Sequence, residues 1–138
     1  MPSFKEIMDH RNQNSHFCIL LGIRTTQMDQ GSAKGEMPIR EHHENAVGSV
    51  HGGCIFSLAD TIGGSAAASY GHKMTTLSSD FHYLTAAMGT EKLYASAREI
   101  KHGKRICVFD VEVSDDKDRL IAKGTFSYFD LGVPILDH

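Results

Sequence analysis

The sequence has no tryptophan, three prolines and three cysteines among its 138 residues. An odd set of cysteines, Cys18, Cys54 and Cys107, with no close pairing pattern gives no disulfide framework. That usage fits a reducing compartment, so a cytoplasmic location is expected. Long basic runs are also missing: Lys101, Lys104 and Arg105 come nearest, and the formal net charge is −3. Nucleic acid binding therefore lacks electrostatic support. The stretch Met1 to Asp9 carries Lys5, Glu6 and Asp9 and no continuous apolar run, so it does not read as a signal peptide. The longest small-and-apolar stretch, Gly52 to Tyr70, holds Asp60 near its middle and is rich in Gly, Ala and Ser, which argues against a membrane span. There is no HExxH and no CxxC, so His42, His43, His51 and Glu44 make a weak metal set and no metal is expected. A P-loop, a GxSxG elbow and a dinucleotide fingerprint are missing too.

What is present is ordinary globular material: 41% hydrophobic and 22% charged residues, enough for one domain spanning 1–138. Residues 1–14 form a helical extension in which Ser3 caps a helix to about Asn12, with Glu6 as its capping-box partner. A second apolar piece runs from Phe17 to Leu21. Strands are predicted near Ile23 to Asp29 and Ser32 to Arg40, turning at Gln30-Gly31. Further strands follow at Met74 to Ala87, Lys92 to Lys101, about Cys107 to Val113, and Leu120 to Phe129. Strands joined by tight turns imply a mostly antiparallel sheet and an α+β fold.

The long helix expected between Gly52 and Tyr70 is unusual. Gly52, Gly53, Gly63 and Gly64 lower its propensity, by roughly 1 kcal/mol for each interior glycine. Small residues on many faces let other backbone approach, so we expect a buried central helix enclosed by the sheet. Asp60 is the only charged side chain between Glu44 and Lys73. A buried carboxylate must be paired, hydrogen-bonded, protonated or wet. It is either a structural carboxylate or a chemical one. The helix start at Gly52 offers N–H groups without intrahelical partners, and with no Cβ they stay open to an oxyanion. The alternative is a plain turn and cap, with His51 bonding the local backbone. Cys54 lies three residues after His51, but on a buried helix a cysteine more often fills space than attacks.

The stretch from Asn45 through Gly48, His51, Gly52 and Gly53 to Asp60 resembles the signature of hotdog-fold acyl-CoA thioesterases of the phenylacetyl-CoA (PaaI-like) group. Leu77 to Leu84 resembles the strand after the central helix, and Arg119 to Phe126 the last strand. The resemblance implies a long helix wrapped by a six-stranded antiparallel sheet. It implies dimers joined edge to edge and paired again into homotetramers, with Asp60 acting across the interface from Gly52 of the partner subunit. It implies hydrolysis of an acyl-CoA to acid and CoA, CoA being part of the substrate and no cofactor being needed.

Carried over, Asp60 is the nucleophile or general base, and the Gly52 N–H polarises the thioester carbonyl. Asn45 helps place the water or leaving group, and His51 orients the loop through the Asn45 backbone. Ser78 matches a hydroxyl near the attacking water. Gly53 and Phe81 are expected at the substrate, with Phe56 and Tyr83 as further acyl-pocket aromatics. Lys104 and Arg105, with Arg98 and Lys101, are candidates for the CoA phosphates. Two other readings stay open: a non-catalytic acyl-CoA-binding protein, and an enoyl-CoA hydratase or dehydratase pairing His51 with Asp60.

Overall fold

Alternating burial builds the sheet. In β4 (Lys92–His102) Leu93, Ala95 and Ala97 are buried while Tyr94, Ser96 and Arg98 face outward. In β5 (Ile106–Asp115) Cys107, Phe109, Val111 and Val113 are buried in the same rhythm. A period of two leaves one dry face, which needs something to cover it. In the computed structural model, which describes residues 1–136, that cover is α3 (Gly52–Ala68). Ile55, Leu58, Ala59, Ile62 and the run from Gly63 to Ala68 are all buried on it.

The remaining elements are α1 (Phe4–Asn14), α2 (His16–Leu21), β1 (Arg24–Asp29), β2 (Ser32–Pro38), a short 3-10 turn (Glu41–His43), β3 (His72–Tyr83) and β6 (Leu120–Pro134). The six strands lie in the order β1-β2-β4-β5-β6-β3, and every neighbouring pair is antiparallel. This is the α+β hotdog arrangement that the resemblance implied.

Most boundaries fall close to the sequence reading, and the departures have physical reasons. Ser3 caps α1 through the expected box with Glu6, but the helix runs to Asn14. The central helix stops at Ala68, where Ser69 caps it, and Gly71 turns the chain at a φ of 92°. Strand β3 ends at Tyr83 rather than Ala87: the N–H groups of Leu84 and Thr85 both turn to the carbonyl of Ile121. Beyond Phe129, β6 continues because the start of β3 pairs with it as far as His72↔Pro134.

Two features position the site. Helix α1 docks through Ile7, which packs with Met28, Ala68 and Ile135, and so stands beside the middle of α3. Strand β3 is an edge, and all twelve of its residues are solvent-exposed or half-exposed. A long exposed edge with Leu77 and Tyr83 outward is a template for pairing with another chain.

Candidate active site

Asp60 sits two turns into α3 and is half-buried. Its Oδ1 accepts a hydrogen bond from Thr76 Oγ1 of β3 at 2.8 Å. The Tyr128 hydroxyl of β6 donates to the Asp60 carbonyl at 2.8 Å and reaches Oδ1 at 3.3 Å. Oδ2 has no partner among the described residues, so one carboxylate oxygen is held and the other is free. Burial, together with the charge and hydrogen bond of Asp60, pushes the Tyr128 phenol well above its ordinary pKa, which keeps it a donor. A cavity of about 530 Å³ opens beside this group, between α1, α3, β3 and β6.

The glycine pair of α3 makes the arrangement fit. A Cβ on Gly63 would collide with the Tyr128 hydroxyl, and one on Gly64 would stand 3.2 Å from Nη2 of Arg11. The helix propensity lost at these positions thus opens room for two polar side chains next to Asp60. We expect Gly63→Ala to displace Tyr128 and lower stability by about 1–3 kcal/mol despite the better helix former. Thermal unfolding checks this; an unchanged or higher Tm would refute the close-approach reading.

At the start of α3, His51 is the N-cap. Its Nδ1 accepts the Gly53 N–H at 2.8 Å, and its carbonyl accepts from Cys54 at 2.9 Å and Ile55 at 3.3 Å. Of the first helical N–H groups, only that of Gly52 has no partner among the described residues. The sequence pattern and the hydrogen-bond pattern therefore single out the same amide. Tyr83 lies over it: its hydroxyl donates to the Gly52 carbonyl at 2.9 Å, and a Cβ on Gly52 would meet its ring at 3.3 Å.

The other expected residues fall as follows. Asn45 closes its own loop, with Oδ1 accepting from the amides of Val47 and Ser49 and Nδ2 donating to Ser49 Oγ. The His51 ring thus engages Gly53 rather than the Asn45 backbone, and Gly53 leaves space for that imidazole, whose Nδ1 would be 3.0 Å from an added Cβ. Ser78 is exposed on β3, and Thr76 is the hydroxyl hydrogen-bonded to Asp60. Phe81 packs edge-on against Phe56 at 5.7 Å and Phe126 at 5.5 Å, and does not line the Asp60 cavity. Lys104 and Arg105 are exposed on the β4–β5 turn, near the end of α3 where Tyr70 stacks on His102 at 3.6 Å. Burial raises the pKa of the Cys54 thiol, which disfavours a thiolate there. Both nitrogens of His43 are engaged, with the Arg40 amide at 2.8 Å and the Leu21 carbonyl at 2.7 Å.

Thr76, Tyr128 and Arg11 were missed in the sequence reading. The glycine pair that called for close approach was a trace of Tyr128 and Arg11, and nothing marked Thr76.

Within one protomer the two halves of the site stand apart. Asp60 is eight residues beyond Gly52 on the same helix, about 12 Å at 1.5 Å per residue. No carbonyl can touch both.

Residues 47–122 match the family model described as thioesterase superfamily. A putative esterase of Archaeoglobus fulgidus is 36% identical over 123 residues, covering 88% of this chain and 80% of that one. The acyl-coenzyme A thioesterase PaaI of Escherichia coli is 31% identical over 102 residues, covering 74% of this chain and 73% of its own. The solved structure of E. coli PaaI superposes with a TM-score of 0.91 at 26% identity over 96% of both chains. A Streptococcus mutans protein bound to acetyl CoA superposes with a TM-score of 0.76 at 28% identity, over 81% of this chain and 90% of that one.

Proposed function

The chain belongs to the thioesterase superfamily and is a thioesterase acting on acyl-CoA thioesters; from that premise we propose that Asp60 of one subunit and the Gly52 amide of a second copy form each active site. The observation that carries this reading is the division of labour along α3. Asp60 offers a free carboxylate oxygen and Gly52 a free amide at the positive end of the helix dipole, yet they are about 12 Å apart in one protomer.

Strand β3 supports the same reading. Thr76 of β3 is bonded to Asp60, and Tyr83 of β3 is bonded to Gly52. If two copies pair antiparallel through this edge about a two-fold axis near Ser79 and Asp80, Thr76 comes opposite Tyr83 of the partner subunit. The Asp60 of each copy then faces Gly52 of the partner subunit, and two equivalent sites result. The exposed edge is covered in the same step. Two such dimers would pair into the homotetramer.

In the reaction, the thioester oxygen lies against the Gly52 N–H, which is preorganised for the charge that develops there. Thr76 and Tyr128 hold Oδ1 so that Oδ2 points to the carbonyl carbon. Oδ2 either takes a proton from attacking water or itself attacks the carbon; CoA leaves as a thiolate in both routes. The Lys104 and Arg105 turn is offered to the phosphates of CoA.

Release of free thiol from benzoyl-, phenylacetyl-, acetyl-, hexanoyl- and palmitoyl-CoA tests the activity, with sedimentation run on the same sample. Turnover by a dimer or tetramer is expected. Turnover by a monomer would sink the shared site, and no turnover by an assembled protein would favour a binding protein. Water addition to an enoyl-CoA with no thiol released would favour the hydratase reading. Under single-turnover conditions in heavy-oxygen water, direct water attack labels the released acid and leaves Asp60 unlabelled, whereas water attack on the aspartyl carbonyl carbon of an anhydride labels Asp60.

A further inference from the structure

A buried histidine stands at the root of the loop that delivers Gly52, and the reaction as drawn does not use it. His43 is 1% exposed, although Glu41, His42 and Glu44 around it are exposed. The Arg40 amide donates to its Nδ1 at 2.8 Å, and its Nε2 lies 2.7 Å from the Leu21 carbonyl. An amide only donates and a carbonyl only accepts, so Nε2 carries the proton and Nδ1 is bare. Leu21 is the last residue of α2, where helix carbonyls lack intrahelical partners, and Arg40 opens the 3-10 turn. One ring therefore ties that turn to a helix end.

The backbone continues the tie. The His43 carbonyl accepts the His51 amide at 2.8 Å. Glu44 and Val50 pair as an antiparallel bridge, and the Asn45 amide donates to the Ser49 carbonyl at 2.8 Å. Residues 43–51 are thus a small hairpin with His43 at one foot and His51 at the other. Its tip, Ala46 to Gly48, is exposed. The second foot is the N-cap of α3, so its placement aims the Gly52 N–H. Filling space at the first foot would call only for an apolar side chain, because a buried imidazole costs stability unless its nitrogens are bonded. Here both are bonded, and both bonds brace the hairpin.

We propose that His43 is a positioning residue for the reaction: its ring fixes the hairpin of residues 43–51 and, through the His51 amide, holds the Gly52 N–H on the thioester oxygen. The assignment rests on the thioesterase reading above, in which that N–H polarises the carbonyl. It goes beyond that reading by naming the buried group that aims the donor. His43 touches neither substrate nor reacting atoms; it acts on rate because a preorganised donor loses its worth when it is misplaced.

Thiol release from an acyl-CoA that the parent turns over, read as kcat and KM, tests it. His43→Leu fills the space and makes neither bond. It should lower kcat by about ten- to hundredfold, the scale of a misplaced group, with KM within about twofold of the parent. Asparagine offers an acceptor near Nδ1 and glutamine a donor near Nε2, so His43→Asn and His43→Gln should each recover part of kcat. In a Gly52→Pro background the His43→Leu change should cost less than about threefold more, because the donor it would misplace is already gone. Parental kcat in His43→Leu overturns the proposal. So does recovery by neither conservative variant, and so do losses that multiply in full with Gly52→Pro, as a general loosening of the fold would give. Should His43→Leu not fold, His43→Asn and His43→Gln go through the same cycle under the same criteria. These outcomes leave the thioesterase reading standing. A parent without turnover on any acyl-CoA overturns that reading, and Gly52→Pro with parental kcat overturns the role of the amide; either takes this proposal with it.

Discussion

Replacing Gly52 with proline should cost about 10²–10³-fold in kcat while leaving stability within about 1 kcal/mol of the parent. Gly52 is the first residue of α3, the position where proline is best tolerated because its missing N–H has no intrahelical partner. The residue before it, His51, has φ −60° and ψ 134°, the extended conformation that a following proline requires. The lost N–H bonds nothing among the described residues, so the folded protomer forfeits no hydrogen bond. The new Cβ comes 3.3 Å from the ring of Tyr83, which is 54% exposed and free to swing. What disappears is the donor aimed at the thioester oxygen. Gly52→Ala adds the same Cβ and keeps the N–H, so it should lose much less, and the gap between the two variants isolates the amide. A proline variant with parental kcat would remove Gly52 from the mechanism. Equal losses in both variants would make Gly52 a matter of access alone.

The ease of reading this part of the site from sequence follows from its being local. Asn45, His51, Gly52 and Asp60 lie within sixteen consecutive residues of one loop and one helix, and helical geometry fixes their spacing. The groups around Asp60 are not local. Thr76 arrives from β3, Tyr128 from β6, 68 residues away, and Arg11 reaches Ser65 across 54 residues. Nothing around these three residues marks them, because which side chain points at Asp60 depends on the register of β3 with β6 and on how α1 docks. What the sequence did carry was their imprint on α3: Gly63 and Gly64 weaken a helix, and the weakness makes sense only once Tyr128 and Arg11 occupy the space.

The sheet shows the same division. Strand interiors follow from alternation, since Leu93, Ala95 and Ala97 must share a face. The end of β3 does not. Leu84 to Ala87 has a composition that suits a strand, but the chain leaves the ladder when Leu84 and Thr85 take the Ile121 carbonyl. Phe81 likewise has the composition of a pocket aromatic, and in the protomer it packs, partly buried, against Phe56 and Phe126. Composition identifies what a residue is able to do, and long-range register decides which of those things it does.

Asp60→Asn should lower kcat by at least about two decades, the loss expected for a positioned base or nucleophile. Asparagine matches the shape of the carboxylate and can still accept from Thr76 and Tyr128 through its carbonyl oxygen, so fold and assembly should survive. The free oxygen Oδ2 becomes an amide nitrogen with no lone pair to offer, while KM should change little because the cavity keeps its shape. Retained activity would exclude Asp60 from the chemistry. Combined with Gly52→Pro, the variant also decides whether the two residues belong to one subunit or two. Each single variant is inactive as a homodimer, since each spoils both sites. In a mixed dimer, intact Asp60 from the Gly52→Pro subunit faces intact Gly52 from the Asp60→Asn subunit, and one site of two is whole. Random pairing of equal amounts makes half the dimers mixed, so co-expression should recover about a quarter of parental activity. A site built within one protomer predicts no recovery at all, because no single chain in the mixture then carries both groups.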